Sequence, residues 1–250
     1  MHPPDGLDPV FYQLSRLSTS GSITILYVVA THNETAAGLS RIERKRLRRV
    51  NEILRVAADL VGERGYQNTS LDEVAERLDV AKASLYYYFD SKQALVAACL
   101  DSAADNVQRL LEAIVAEGGT PTEIMRRLII EQQVYTTQDH PELSRLFLRH
   151  LEWPPPLLEK IHEWLVRHDR IWKDVIDAGV RSGEFTTVVD PAIVRHCIHG
   201  ALDFVPFWYH PDGKYPPEKL FEYVADAVLL MLGVQSTASA TRTAKPRRPA

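Results

Sequence analysis

A short segment in the first half of the chain carries side chains suited to contacts with nucleic acid. It combines one cation, one serine hydroxyl, a small alanine and three consecutive phenols. A cation binds phosphate, hydroxyl groups bond to base edges, and apolar groups contact the thymine methyl. The residues concerned are Lys82, Ala83, Ser84, Tyr86, Tyr87 and Tyr88. Three consecutive tyrosines cannot all point inward on a helix, so part of this set must face solvent.

The same segment also has an apolar side, and this leaves an alternative interpretation open. Leu85 and Phe89 are four residues apart, a spacing that predicts two inward-facing side chains on one helix. A short aromatic-rich helix can simply fill a core. For Phe89, and in part for Tyr86, we favour that interpretation over a contact with a ligand.

Helices on either side must position the segment. Apolar residues between Leu47 and Val61 recur at three- and four-residue spacing, which predicts a helix that Gly65 ends. Ser70 followed by Glu73 forms a capping box that begins a second, two-turn helix. This helix carries Leu71, Val74, Ala75 and Leu78 on its inner face.

A tight break separates the second helix from the segment of interest. Asp79 and Val80 form this break, residues 81–89 form the third helical segment, and Asp90 or Ser91 caps a long helix beyond it. Two short helices joined by a tight turn are typical of the helix-turn-helix, whose second helix lies in the major groove of DNA.

The charge distribution is uneven and favours a polyanionic partner. The chain has a net charge of −4, yet the stretch from Arg41 to Arg49 holds six basic residues and one acid, and the last nine residues hold four basic residues. We expect Arg44, Lys45 and Arg48 to reach phosphates or an adjacent minor groove. A solvated helix start and a solubilising tail would give the same composition, so charge alone leaves both interpretations open.

The residues from Gly65 to Ala75 and from Val80 to Lys92 resemble the DNA-binding domain of TetR-type transcriptional regulators. This resemblance implies a homodimer in which each subunit places residues 81–89 in a major groove of a palindromic operator. It also implies a variable C-terminal body that binds a small molecule, which weakens DNA binding. By position in the motif, the resemblance assigns DNA contacts to Thr69, Ser70, Lys82, Ser84, Tyr86, Tyr87 and Lys92.

The sequence departs from the TetR motif at two positions. Asp79 stands where the family favours glycine in the turn, and Ala81 stands where it favours a serine or threonine cap. Aspartate tolerates the left-handed backbone conformation, so we expect the turn to survive. The missing cap costs about 1 kcal/mol of local order.

The rest of the chain is predicted to be helical as well, which gives an all-α fold. Thr120 to Glu123, His140-Pro141 and Asp190-Pro191 each begin a helix, and no β alternation of any length appears. We predict a poorly ordered extension at 1–40, a three-helix helix-turn-helix domain at 41–92, a larger ligand-binding and dimerisation domain at 93–233, and a disordered basic tail at 234–250.

The sequence contains little that indicates an enzyme, a cofactor or a membrane segment. The sequence holds no glycine-rich phosphate loop and no GxSxG motif, and His168 follows His162 by six residues instead of the four of a zinc protease. We therefore expect no catalytic residues, no cofactor, no membrane segment and a cytoplasmic protein. His196, His199 and Asp203 share a helical face, which leaves a divalent metal open, although such pairs are usually core or interface histidines.

Aromatic residues concentrate after residue 150, where a pocket between helices is expected to bind the effector. The predicted lining is Arg149, Trp153, Trp172, Phe204 and Trp208. Core packing or a dimer interface would explain each aromatic residue equally well. Residues 207–213 resemble, weakly, those of TetR members that control lipid, sterol or acyl-CoA catabolism, which implies an apolar effector such as an acyl-CoA.

The function predicted from all of this is a ligand-released repressor. An activator or a constitutive DNA binder without a ligand is one alternative. A protein-interaction adaptor that has kept the fold is the other.

Overall fold

The computed structural model describes residues 40–148 and 153–234, and in these residues all regular structure is helical. The predicted all-α fold is confirmed, whereas the extension at 1–40 and the tail at 234–250 lie almost entirely outside the described residues. Within the described ranges the ten α-helices are α1 Arg41–Arg64, α2 Leu71–Arg77, α3 Lys82–Tyr86, α4 Lys92–Glu117, α5 Pro121–Val134, α6 Pro141–Leu148, α7 Pro155–Ser182, α8 Pro191–Asp203, α9 Val205–Trp208 and α10 Pro217–Met231.

Local capping signals set the helix starts. The side chain of Ser40 accepts a bond from the Glu43 amide, and Glu43 in turn accepts one from the Ser40 amide. The same reciprocal pattern begins α2 and α5, while the Asp190 carboxylate accepts a bond from Ala192 at the start of α8. Each arrangement satisfies amide donors that have no partner in the first helical turn.

The chain divides into two compact units. Unit 1 contains the chain up to Asn106 together with Arg145–Ile161. Its core contains apolar side chains of the four helices α1, α2, α3 and α4, together with Leu146, Trp153, Leu157 and Ile161. Packing, which sequence periodicity does not reveal, brings a distant stretch of chain into this core, so this unit extends past residue 92. The predicted domain division stays a prediction.

Close contacts fix that distant stretch within unit 1. Arg145 pairs with Asp59 of α1, and Lys160 pairs with Asp101 of α4. A Cβ atom at Gly62 would lie 2.8 Å from the Cβ of Arg145, so α1 needs a residue without a side chain at this point.

Unit 2 contains Val107–Ser144 and the chain from His162 onward. Its core is built around the fully buried Trp172 and includes apolar residues of α4, α5, α7, α8 and α10. Arg126 of α5 bonds to both Glu222 and Asp226 of α10. None of the helices in the described residues is both long and apolar enough to cross a membrane.

The helix predicted to begin at Asp190-Pro191 is present in unit 2. This helix, α8, ends at Asp203, and the four-residue α9 follows. Pro206 lies in this short helix and has no amide hydrogen to donate to the preceding turn.

Candidate DNA-contacting surface

The first turns of α1 present the basic stretch to solvent. Burial of apolar side chains in this helix begins only at Val50. Arg44, Lys45 and Arg48 are exposed, while Arg49 is partly covered and pairs with Glu52. The basic turns of α1 therefore precede its packed part, where they are accessible to an external polyanion.

The connection between α1 and α2 encloses one residue that was predicted to contact DNA. Thr69 is buried, and its hydroxyl group is directed at the carbonyl oxygens of Gly65, at 3.0 Å, and Leu60, at 3.4 Å. Since this side chain is enclosed and already bonded, it fixes the connection between the two helices. The predicted DNA contact of Thr69 stays a prediction.

Ser70, the neighbour of Thr69, is exposed at the start of α2. Its hydroxyl oxygen accepts a bond from the Glu73 amide at 3.2 Å and also lies 3.0 Å from the Glu73 carboxylate. Hydrogen bonds from Ser70, followed by the charge of Arg64, hold the pKa of Glu73 below its usual value. Ser70 thus orders the first turn of α2 at the surface.

Helix α3 exposes the polar side chains that the sequence singled out. Lys82, Ala83 and Ser84 are exposed in its first turn. The Lys82 ammonium lies 2.6 Å from a carboxylate oxygen of Asp72 on α2, and this hydrogen bond raises the pKa of Lys82. Sequence reasoning missed Asp72, whose only signal was its place ten residues earlier on the adjoining helix. In the free protein, Asp72 therefore partly offsets the charge of Lys82.

The three tyrosines have different surroundings. Tyr86 and Tyr87 are exposed, whereas Tyr88 is half-buried and packs against the unit 1 core. The rings of Tyr87 and Tyr88 meet edge to face with centroids 5.1 Å apart. The core role expected in part for Tyr86 is wrong, because the helix turns that residue outward. Leu85 and Phe89 are buried, as predicted.

The turn before α3 accommodates both departures from the TetR motif. Asp79 adopts a positive φ of 52°, the left-handed conformation expected of a residue that replaces glycine here. Ala81 occupies the N-cap position with extended backbone angles but supplies no side-chain hydrogen bond. The turn is therefore intact, while α3 begins without a cap.

Lys92 lies at the start of α4 and contacts the connection between α1 and α2. Its ammonium group donates to the Tyr66 carbonyl oxygen at 2.7 Å and lies 4.3 Å from the centroid of the Tyr66 ring. The ring of Trp153 lies on Tyr66 with centroids 6.0 Å apart. Lys92 therefore connects the start of α4 to the segment between α1 and α2 in the free protein. Its predicted phosphate contact remains a prediction.

The residues predicted to line the effector pocket have different surroundings. Trp153 is buried in the unit 1 core, while Trp172 is buried in the unit 2 core. Phe204 and Trp208 are exposed, and Arg149 lies outside the described residues. The lining of the effector pocket stays a prediction.

The histidines of α8 also differ from one another. His196 is exposed, whereas His199 is mostly buried with Nε2 3.2 Å from Asp169. No three histidine, cysteine or acidic side chains of the described residues group as metal ligands do.

Comparisons with known proteins match both parts of the chain to one family. Residues 53–99 match the family model of bacterial regulatory proteins of the tetR family, and residues 118–232 match a tetracyclin repressor-like C-terminal domain. The first match covers α2, α3 and the turn between them, so it includes the exposed side chains of α3, whereas the basic residues at the start of α1 precede it.

Curated relatives and a solved structure agree with these matches. The chain is 24% identical to the transcriptional repressor KstR2 of Rhodococcus jostii over 72% of this chain and 89% of that protein. It is 25% identical to the fatty acid metabolism regulator protein of Bacillus subtilis over 74% and 95% of the two chains. The structure of AibR in complex with isovaleryl coenzyme A and operator DNA has the same fold, with a TM-score of 0.64, 23% identity and coverage of 74% and 97%.

Proposed function

Because the chain belongs to the TetR family of bacterial regulatory proteins, we propose that it is a homodimeric repressor that binds a palindromic operator and is released by an apolar acyl-CoA-type effector. The observation that carries this proposal is the outward face of α3. There Lys82, Ser84, Tyr86 and Tyr87 are exposed on a helix that Leu85 anchors in the core.

The exposed groups of α3 and α1 divide the work of binding DNA. Ser84, Tyr86 and Tyr87 offer hydroxyl groups and apolar ring surface at the depth of the base edges, where sequence is read. Lys45 and Arg48 offer charge to phosphates, which contributes affinity without reading sequence. To bind a phosphate, Lys82 must give up its ion pair with Asp72. Its contribution to the free energy of DNA binding is therefore smaller than that of a cation with no such pair.

An apolar surface that is exposed among the described residues of α8, α9 and α10 supports the homodimer. We call it the α8–α10 surface. Its exposed residues are Ile193, Cys197, Gly200, Ala201, Phe204, Phe207, Trp208, Tyr223, Leu230 and Met231. Helices α8 and α10 contact each other, and a Cβ atom at Gly200 would meet no atom within 4 Å. Small residues beside large apolar ones allow two copies to pack closely, as in a helical bundle.

The effector class is inferred from the relatives. KstR2 and the Bacillus subtilis regulator are similar to this chain over most of their length, and the second is named for fatty acid metabolism. AibR, which shares the fold, was solved with isovaleryl coenzyme A. A CoA thioester joins an apolar acyl chain to a polar carrier, which suits a helical unit with a large apolar core.

Fluorescence anisotropy with DNA from upstream of the gene tests the proposal. We expect tight, salt-sensitive binding that scrambled DNA does not displace, because specific sites bind far more strongly than random ones. A panel of CoA thioesters should then lower the operator affinity.

Other outcomes separate the alternatives. Affinity that no thioester changes, together with equal binding to scrambled DNA, contradicts the repressor and supports a constitutive DNA binder. An absence of binding at low salt removes the DNA-binding proposal and leaves an adaptor.

A further inference from the structure

A cluster of uncharged polar side chains lies inside the apolar core of unit 2. We call it the polar cluster, and it consists of Gln132, Gln133, His168, Trp172 and His199. All except His199 are at least nine-tenths buried, and His199 is largely enclosed. The ring of His168 lies 5.5 Å from that of His199, and Trp172 lies 5.4 Å from His199. Burial lowers the pKa of His168 to about 3 and also lowers that of His199, so both are neutral at physiological pH.

The hydrogen bonds at His168 cannot all be formed at once. Nε2 of His168 lies 3.0 Å from the Gln132 side-chain oxygen and 3.3 Å from the Trp172 indole nitrogen. The indole can only donate, so Nε2 must be unprotonated to accept from it. An unprotonated Nε2 cannot donate to the Gln132 oxygen, so that oxygen is left without a donor. If the Gln132 amide is turned so that its nitrogen faces His168, the amide and the indole both donate to the single lone pair of Nε2. One polar group therefore lacks a partner in either arrangement.

One further atom of the polar cluster is unsatisfied. The Gln133 side-chain nitrogen donates to the Leu202 carbonyl at 3.4 Å, but the Gln133 side-chain oxygen has no hydrogen-bond partner among the described residues. Nε2 of His199, in contrast, lies 3.2 Å from the Asp169 carboxylate. Buried polar groups in proteins are nearly always bonded, so the deficits at Gln133 and at His168 indicate a missing partner.

The backbone beside the polar cluster is also irregular. Immediately after α5, residues Tyr135–Asp139 form a π-helical turn. The hydroxyl groups of Thr136 and Thr137 donate to the Gln132 and Gln133 carbonyl oxygens, which stabilises the widened turn. Such turns are frequent at functional sites, and this one gives the cluster a segment that can rearrange when a ligand enters.

We propose that the polar cluster binds an uncharged hydroxyl or amide group of the effector, next to the effector's apolar chain. This inference deepens the proposed function, since it rests on unit 2 as the effector unit and names the group that is recognised. A group that both donates and accepts can donate to the Gln133 oxygen and accept from the donor that is left over at His168. The rings of Trp164 and Trp172 provide apolar walls, with Trp164 5.0 Å from His168.

The charges beside the polar cluster exclude a free carboxylate. Arg195 is the cation next to His199, and its Nε already lies 2.7 Å from Asp169. An entering carboxylate would find neutral histidines, neutral amides and an arginine whose charge is already balanced. Burying an anion without a counter-charge is strongly unfavourable, so the neutral alcohol should bind better than the acid.

The test compares decanol, decyl methyl ether and decanoate as ligands of the whole protein without DNA. Binding is measured by isothermal calorimetry and by the intrinsic tryptophan fluorescence, to which Trp164 and Trp172 contribute. We expect decanol to bind about tenfold more tightly than the ether, which cannot donate, or the anion. In the Gln133→Met variant decanol should lose this advantage while the ether binds unchanged. The exposed Gln138→Met variant should keep the wild-type order.

The Gln132→Met variant provides a second measurement if Gln133→Met does not fold. It removes the amide that competes with Trp172 at His168, so it too should reduce the preference for the alcohol. Equal binding of decanol and ether, tighter binding of decanoate, or no binding of any probe would overturn the inference. Because DNA is absent, failure of operator binding would leave a positive result here unaffected. A repressor whose polar cluster binds no alcohol would, in turn, retain the proposed function.

Discussion

Two surfaces are exposed in the part of the chain that the structure describes, and they differ in chemistry. The face formed by α3 and the start of α1 is polar, with cations, hydroxyl groups and a lysine paired to Asp72. The α8–α10 surface is apolar, with small residues beside large rings. A polar face keeps its solvation in the free protein and binds a polyanion reversibly, whereas an apolar face remains costly to expose until it is covered.

In a homodimer that binds a palindrome, the function of each of these surfaces depends on the other. Reading a palindrome requires two copies of α3 at a fixed separation. The α8–α10 surface would set that separation without contacting DNA. We therefore expect damage to the apolar surface to reduce operator binding more than damage to α3 itself.

The largest effect is predicted for the double variant Ala201→Asp with Phe204→Asp. Two buried anions in the apolar surface should leave a monomer. Operator affinity should then fall by about a thousandfold towards the non-specific level. Light scattering and anisotropy measure the two effects. Val115→Asp changes an exposed valine of α4 and serves as the control. A double variant that stays dimeric would show that another surface joins the subunits.

The next effect concerns α3. Lys82→Ala combined with Tyr87→Ala should lower operator affinity by about a hundredfold, since each good base contact contributes about 1–3 kcal/mol. The dimer should be unaffected. The control is Lys173→Ala, because Lys173 pairs with Asp177 much as Lys82 pairs with Asp72. Wild-type affinity in the double variant would remove α3 as the reading helix.

A smaller effect is predicted for the start of α1. Lys45→Ala combined with Arg48→Ala should weaken binding to operator and scrambled DNA equally, because phosphate contacts carry no sequence information. The slope of log affinity against log salt should become shallower by about 0.9 per lost contact. Titrations at several salt concentrations measure it, and an unchanged slope would mean that α1 does not reach the DNA.

The smallest effect concerns the uncapped start of α3. Ala81→Ser places a hydroxyl at an N-cap whose backbone angles already suit one, so the free energy of unfolding should rise by about 1 kcal/mol. Urea unfolding measures this change. Ala83→Ser adds the same hydroxyl two residues after the N-cap position and should give no gain. Equal stabilities for both variants would count against a capping effect.

Much of the fold could be predicted because its signals are local. Ser70 with Glu73, and Thr120 with Glu123, announce helix starts within four residues, and both capping boxes are present. The left-handed turn at Asp79 and the buried pair Leu85 and Phe89 were predicted for the same reason. Each of these features depends on neighbours along the chain.

The parts that sequence reasoning missed depend on packing between distant residues. Thr69 and Ser70 are adjacent hydroxyl residues, yet α1 encloses one and leaves the other at the surface. Trp153 and Trp172 are chemically identical, yet they belong to different cores. Residue type alone does not separate these cases, because the burial of each side chain depends on residues that are distant in the sequence.

The composition of unit 1 has a consequence for engineering. Its core contains Trp153 and Leu157, which lie 47 and 51 positions beyond Asn106, where its first stretch of chain ends. A chimaera made by exchanging only the N-terminal hundred residues would therefore pair a foreign helix-turn-helix with side chains selected for another one. Grafting residues 145–161 together with the N-terminal part would preserve the native packing. Transfer of this unit to another protein therefore requires two segments.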